Sequence, residues 1–264
     1  MLDSVHGRCA QAVSNALIFF ESFSGKNMTF SEKETARDVV SEADLAIQTV
    51  MLRGLHESGW PVISEEKENN FEILRNAEIC WVLDPIDGTA NYSENIPFYG
   101  ISLGALKAGE FFAGAFGMPA TKELFYTINQ DIAYLNEVRL KVLPKTLRAS
   151  LVAASFSSPS TARGVERERE FLLFGSLNDR SKGALRLGSA SGNICYTAAG
   201  RFGLSYGLNN KIWDVAGPLA IAKAAGCQVV TSPIDPSGRI SFVVGHPAII
   251  EEVRSEFQPF IGSI

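Results

Sequence analysis

Apolar residues recur at helical spacing near the start of the chain, at Val5, Cys9, Ala12, Val13, Ala16, Leu17 and Phe20, and predict a helix that "FSGKN" stops. A second helix is predicted from about Glu42 to Ser58, with Ser41 as its cap. The pattern then changes to strand-like runs bounded by turn residues: "EICWVLD", "YGISLGALKAGE", "FFAGAFGMP", "ELFYTIN" and "AYLNEVRLKV". The turns "KAGE" and "NQD" join antiparallel neighbours, so this half reads as a meander flanked by helices, an α+β arrangement.

Composition shifts at "LPKTLRAS", which divides the chain into residues 1–146 and 147–264. Beyond it, strands ("LVAASFS", "LSYGL", "CQVVTS", "ISFVVGH") alternate with helices over Glu166 to Leu177, Ser189 to Gly200, Val215 to Ala225 and Pro247 to Phe257, the pattern of an α/β half. "VERERE" opens the first of these helices as a solvated charged surface, with Phe171, Leu172 and Phe174 as the expected apolar face.

Composition narrows the function without naming it. With 264 residues, 46% of them hydrophobic and 20% charged, the chain has enough apolar material for a substantial core. A net charge of -5 offers no basic footprint for nucleic acid and no polybasic membrane patch, so the expected partner is a small molecule. No apolar run approaches the roughly 20 residues of a bilayer span, and no leader pattern precedes the first helix, so a cytoplasmic location is expected. The four cysteines, Cys9, Cys80, Cys195 and Cys227, stand far apart among apolar neighbours and read as reduced core residues.

The chemistry concentrates in "WVLDPIDGT", Trp81 to Thr89. An apolar strand brings Asp84 to its end, Pro85 fixes the exit, and Gly88 permits a conformation that larger residues resist. Asp84 and Asp87 repel each other in so small a volume unless a cation lies between them, and Mg²⁺ suits oxygen ligands of this kind. Gly88 and Thr89 open a short helix whose free N–H groups suit a phosphate. Taken alone, "DP" and "DG" also describe a capped tight bend, with Thr89 as an N-cap. Three more acidic positions have equally ordinary readings. Glu65 and Glu66 follow the short strand Pro61 to Ser64 as a loop, Asp214 caps the helix of "WDVAGPLAIAKAAG", and Asp44 in "SEAD" completes a capping box with Ser41.

In chain order, "SEE" at Ser64 to Glu66, "WVLDPIDGT", "GSASGNIC" and "WDVAGPLAIAKAAG" together resemble the inositol monophosphatase family, part of a superfamily of Mg²⁺-dependent, lithium-sensitive phosphatases. The resemblance spans nearly the whole chain and implies a layered αβαβα sandwich with the site between two halves. It implies that Glu65, Asp84 and the Ile86 carbonyl hold one Mg²⁺ and that Asp84, Asp87 and Asp214 hold a second, with Glu65 helping a third through water. It implies that Thr89, bonded to Asp44, orients and helps deprotonate the water that attacks phosphorus in line, and that the Gly88 and Thr89 amides, with Asp87, receive the phosphate. Lys33 stands at the family's usual lysine position. Gly188, Ser189 and Ala190 match the segment that lines the sugar. The family commonly forms homodimers.

One position departs from the pattern. Inositol-hydrolysing members carry a glutamate seven residues before the last aspartate, and here "SYGLNNKIWD" has Gly207. A missing carboxylate removes an acceptor for substrate hydroxyls, which opens histidinol phosphate, a sugar bisphosphate or a specialised-pathway phosphate as alternatives to a polyol phosphate. Pro218 is a lesser oddity, harmless in the first turn of its helix and able to bend it if deeper. No serine of "GSASG" fits a nucleophile elbow, since Ala190 stands where the serine would be, and His6, His56 and His246 fall in segments read as surface. A non-catalytic metal-binding protein of the same fold is the remaining alternative, and the presence of every expected ligand argues against it.

Overall fold

The computed structural model describes residues 4–23, 30–32, 39–158 and 162–262. Lys33 and the side chain of Ser41 lie outside them, so the expectations that fall there are not addressed.

The chain runs α1 (Val5–Phe23), β1 (Phe30–Glu32), β2 (Val39–Ser41), α2 (Glu42–Leu55), β3 (Val62–Ser64), α3 (Ile73–Asn76), β4 (Ile79–Asp87) and α4 (Thr89–Ser93). The meander follows as β5 (Gly100–Lys107), β6 (Glu110–Met118), β7 (Glu123–Asn129), β8 (Ile132–Leu135) and β9 (Val138–Arg139). Then come β10 (Leu151–Ser155), α5 (Val165–Arg180), β11 (Gly183–Leu185), α6 (Ala190–Ala198), β12 (Leu204–Lys211), α7 (Ala216–Ala224), β13 (Gln228–Thr231), β14 (Arg239–Gly245) and α8 (Pro247–Ile261).

Two large sheets result. Strands β3 to β9 lie in sequence order, antiparallel throughout except that β3 runs parallel to β4. The second sheet has the order β11-β10-β12-β14-β13, with β10 parallel to both neighbours and β14 antiparallel to both of its own. Helices α1 and α2 cover the outer face of the first sheet, α6 and α7 fill the space between the sheets, and α5 and α8 cover the outer face of the second. This is the layered α+β sandwich that the family resemblance implies.

The layers explain the sequence pattern of β4. All nine of its residues are buried, because helices cover both sheet faces, so the strand reads as a continuous apolar run rather than an alternation. Trp81 and Leu83 pack outward with α1 and α2, while Cys80 and Val82 pack inward with α6 and α7. The inner helix α7 comes unusually close. A Cβ at Gly104 would lie 2.5 Å from the Gly217 nitrogen, one at Gly114 2.1 Å from the Gly217 oxygen, and one at Gly217 2.5 Å from the Leu103 oxygen. The helix therefore rests backbone to backbone on β5 and β6. Pro218 falls in its first turn, where no intrahelical donor is lost.

Two expectations need correction. Phe171 and Leu172 of α5 are 56% and 73% exposed, and the buried face is Glu170, Leu173 and Leu177. The helix is turned this way because buried Glu170 accepts hydrogen bonds from the Ser157 backbone and hydroxyl and pairs with Arg167. His6 is buried rather than on the surface, its Nδ1 2.7 Å from the Thr127 hydroxyl, a partner 121 residues away. The four cysteines are free and buried, as their neighbours predict.

Candidate metal and phosphate site

In an unbroken strand, residues three apart face opposite sides, so Asp84 and Asp87 would point away from each other. The ladder between β4 and β5 is not unbroken. Asp84 pairs with Ser102 and Asp87 with Gly100, so three steps on β4 match two on β5 and one extra residue is absorbed at Pro85–Ile86. Proline has no N–H to lose there, and the bulge returns Asp87 to the inner face beside Asp84. Gly88 then turns at φ 89, and Thr89 begins α4. The Gly88 conformation and its close quarters, with Ser189, Tyr99 and the Phe98 oxygen 3.2 to 3.4 Å from an added Cβ, both call for glycine.

Asp214 arrives from the other side of the cleft, at the end of a 3₁₀ turn over Ile212–Asp214 that leads into α7. Asp84, Asp87 and Asp214 each offer a carboxylate oxygen within 4.8 Å of the others. Asp84 Oδ1 is buried and has no hydrogen-bond partner. Burial, and then the charges of Glu65, Asp87, Asp214 and Asp44, hold the Asp84 carboxyl well above the usual carboxylate range. Burial, then Asp87 and Glu65, do the same to Asp214. Burial pushes Asp87 up to about 7, opposed by hydrogen bonds from Ser189, Ser191 and Ala190.

The start of α6 grips Asp87. The Ser189 hydroxyl and the Ser191 N–H both donate to Asp87 Oδ2, the latter at 3.0 Å, while Ser189 also caps α6 by accepting from the Gly192 N–H at 2.9 Å. The Ser191 hydroxyl donates to the Asp214 carbonyl at 2.7 Å. The segment expected to line the sugar therefore also fixes two of the acids. Gly188 beside it passes the Asn91 side chain, which donates to the Phe98 and Leu187 carbonyls at 2.7 Å and lies 2.9 Å from where a Gly188 Cβ would be.

The expected residues gather unevenly. Asp84, Asp87 and Asp214 form one cluster, and Glu65 and Asp44 act on it electrostatically. The Thr89 hydroxyl donates to the Ile86 carbonyl at 2.9 Å, where the resemblance implies a bond to Asp44. Gly207 lies within β12 with no open space above it, since an added Cβ would meet Asn210 Oδ1 at 2.1 Å and the Phe242 ring at 2.4 Å. Ser191, which bonds both Asp87 and Asp214, escaped the sequence reading and could have been found two residues into a capped helix.

An all-oxygen set of three carboxylates, Asp84 and Asp87 buried and Asp214 half-buried, with one oxygen left without a donor, fits a hard divalent cation: it would relieve the mutual repulsion and supply the missing partner. The arrangement defines a layered fold with an acidic cluster, able to hold a cation, where its two sheets converge on α6 and α7. Comparison with known proteins carries this further. Residues 4–259 match the model of the inositol monophosphatase family, and the chain belongs to that family. It is 30% identical to an inositol-1-monophosphatase of Rhizobium meliloti over 76% of this chain and 74% of the relative. It is 28% identical to the Nus factor SuhB of Pasteurella multocida over 86% of this chain and 85% of that one. Its fold matches that of staphylococcal inositol monophosphatase-1, solved as a lithium-soaked inhibitory complex, with TM-score 0.81, 21% identity, and 97% and 96% of the two chains covered.

Proposed function

We propose that this protein is a Mg²⁺-dependent phosphate monoester hydrolase acting on a small polyol or sugar phosphate. Family membership supports a phosphatase. The observation that carries the metal-dependent reading is the Asp84–Asp87–Asp214 cluster, with its oxygens within 4.8 Å and Asp84 Oδ1 buried without a donor.

In this reading Glu65, Asp84 and the Ile86 carbonyl hold one ion, Asp84, Asp87 and Asp214 hold another, and Glu65 contributes to a third. A Mg²⁺ held by these residues would supply the positive charge that polarises a phosphoryl group and lowers the pKa of water. The chain's own groups do the rest. Thr89, held against Ile86 in this structure, turns its hydroxyl toward the attacking water, and Asp44 takes up the proton. The Gly88 and Thr89 amides face the phosphate oxygens, and Gly188, Ser189 and Ala190 border the alcohol portion. Gly207 adds no acceptor, which leaves histidinol phosphate, sugar bisphosphates and specialised intermediates as rivals to inositol phosphate. We read the chain as two halves meeting at residues 146 and 147, working in the cytoplasm as a homodimer with no nucleic-acid or membrane partner.

The test is phosphate release from a panel of inositol, sugar, histidinol and nucleotide phosphates, with Mg²⁺, with EDTA, and with Asp84→Asn. Turnover that needs Mg²⁺ and is lost in Asp84→Asn supports the mechanism. Activity in EDTA or an undiminished Asp84→Asn overturns it, and silence across the panel favours a non-catalytic homologue.

A further inference from the structure

Asp214 is delivered by the second half of the chain, whereas Glu65 and Asp84 belong to the first. Glu65 follows β3, and its N–H donates to the Leu83 carbonyl at 3.3 Å, so it continues the parallel pairing of Ser64 with Leu83 and lies alongside Asp84. The loop beyond it is closed by Asn69, whose Oδ1 accepts the Ser64 N–H at 3.0 Å and whose amide donates to the Ser64 carbonyl at 2.7 Å. Glu65, Glu66, Lys67 and Glu68 are thereby held in one tight turn.

Phe71 carries this loop across to the turn that bears Asp214. Its ring stacks on Trp213 with centroids 6.2 Å apart and planes 26° from parallel, and the Lys211 ammonium lies 5.9 Å from the Phe71 centroid and 5.1 Å from that of Trp213. Lys211 and Trp213 flank the 3₁₀ turn, and the Lys211 N–H donates to Asp214 Oδ2 at 3.2 Å. Gly238 makes the floor of this socket, since an added Cβ there would lie 2.2 Å from the Phe71 ring. Its carbonyl accepts the Ile212 N–H at 2.9 Å, so the residue that seats Phe71 also anchors the start of the turn. Four residues on from Phe71, the Arg75 guanidinium donates to the Ile234 carbonyl at 2.6 Å and straps the same two segments together a second time.

We propose that Phe71 is a positioning residue for the cation site, a clasp that fixes the Glu65 loop of the first half against the Asp214 turn of the second. The proposal rests on the metal-dependent reading above. A cation shared by acids from two halves holds them at one spacing, and any play between the halves lowers affinity, because the ligands then have to be gathered as well as bound. With Asn69 closing the neck of the loop and Phe71 seated in its socket, Glu65 and Asp214 move as one body. The ring is only half-buried, and its partners Lys211 and Trp213 are the two residues on either side of the turn's first residue, which sets it apart from side chains that merely fill the interior.

The test is titration with Mg²⁺ alone, read by isothermal calorimetry. Phe71→Ala is expected to weaken Mg²⁺ binding about 10-fold, the lower end of what loss of outer support for a metal ligand produces. Phe71→Leu is a milder second variant, which keeps an apolar contact but offers no ring face, and it should shift the midpoint in the same direction. In a Glu65→Gln background, where the loop has no charge to deliver, Phe71→Ala is expected to cause no further weakening. A loss of equal size in that background overturns the proposal and marks Phe71 as ordinary packing. A wild-type protein that does not bind Mg²⁺ overturns the metal-dependent reading and this proposal with it. Wild-type binding with both Phe71 variants unchanged overturns this proposal alone.

Discussion

Two strands each absorb one extra residue beside the site, and they use it in opposite ways. At β4 the bulge between Asp84 and Asp87 turns two carboxylates onto one face, creating a repulsion that a cation relieves. At β12 the bulge between Gly207 and Asn210 folds a neutral amide over Gly207, filling space and adding no charge. The first corner is chemically unfavourable by itself and is completed from outside. The second is completed from within, since β12 supplies both the vacancy and the group that fills it. One irregularity of backbone register thus serves either to collect charge or to fill space.

The first corner can be broken most severely at Asp87→Asn, which keeps the shape, removes a ligand charge and weakens the hold of α6. Steady-state phosphate release should fall on the order of 10²- to 10³-fold, the usual size for loss of one charge-stabilising group, with a melting temperature close to that of the parent. Ser189→Ala is milder and joins the two effects. It removes a donor to Asp87 and the cap of α6, so Mg²⁺ affinity should fall about 10-fold or more and stability by about 1 kcal/mol, read by metal titration and thermal denaturation.

The smallest effect concerns pH and separates the corners by charge. Asp87 titrates near 7 in the folded metal-free protein against an ordinary value of 3.8, so between those values the folded state holds more protons than the unfolded one. Stability is then greatest below about pH 4 as far as this group is concerned, and is lost as pH rises through 7. Asp84 and Asp214 act in the same direction. Denaturation of metal-free protein should show this decline, and Mg²⁺ should raise the melting temperature more at pH 7.5 than at pH 5. An equal Mg²⁺ effect at both pH values would show that the three acids do not carry the repulsion described here.

The two corners also differ in how far the sequence discloses them. Asp84, Pro85, Asp87 and Gly88 each have a local reason to be where they are, and together they spell the bulge, the turn and two members of the acidic cluster. Asn209 spells nothing locally, because what fixes it is Ser157, Ser241 and Arg239, brought up from elsewhere in the chain. Helix and strand runs with strong periodicity were legible to within a few residues, and the meander was legible from its turns. The three-residue strands β2 and β11 were too short to show a period. The face of α5 was misjudged because a hydrophobic count cannot anticipate that Glu170 will find Ser157 and Arg167 in the interior. His6 was misplaced for the same reason, its partner Thr127 lying far along the chain.

The contact between α7 and the first sheet sets a tolerance on all of this. Where Gly217 touches Gly104 and Gly114, no side chain intervenes, so the separation of Asp214 from Asp84 and Asp87 is gauged by peptide planes in contact and cannot be absorbed by rotamer changes. A methyl group at any of the three would act as a shim and spread the carboxylates apart. The same rigidity is permissive elsewhere: with the spacing of the acids set by backbone, residues facing the alcohol portion of a substrate are free to vary without retuning the cation site. A single scaffold of this kind can diversify its choice of phosphate ester while its hydrolytic centre stays the same.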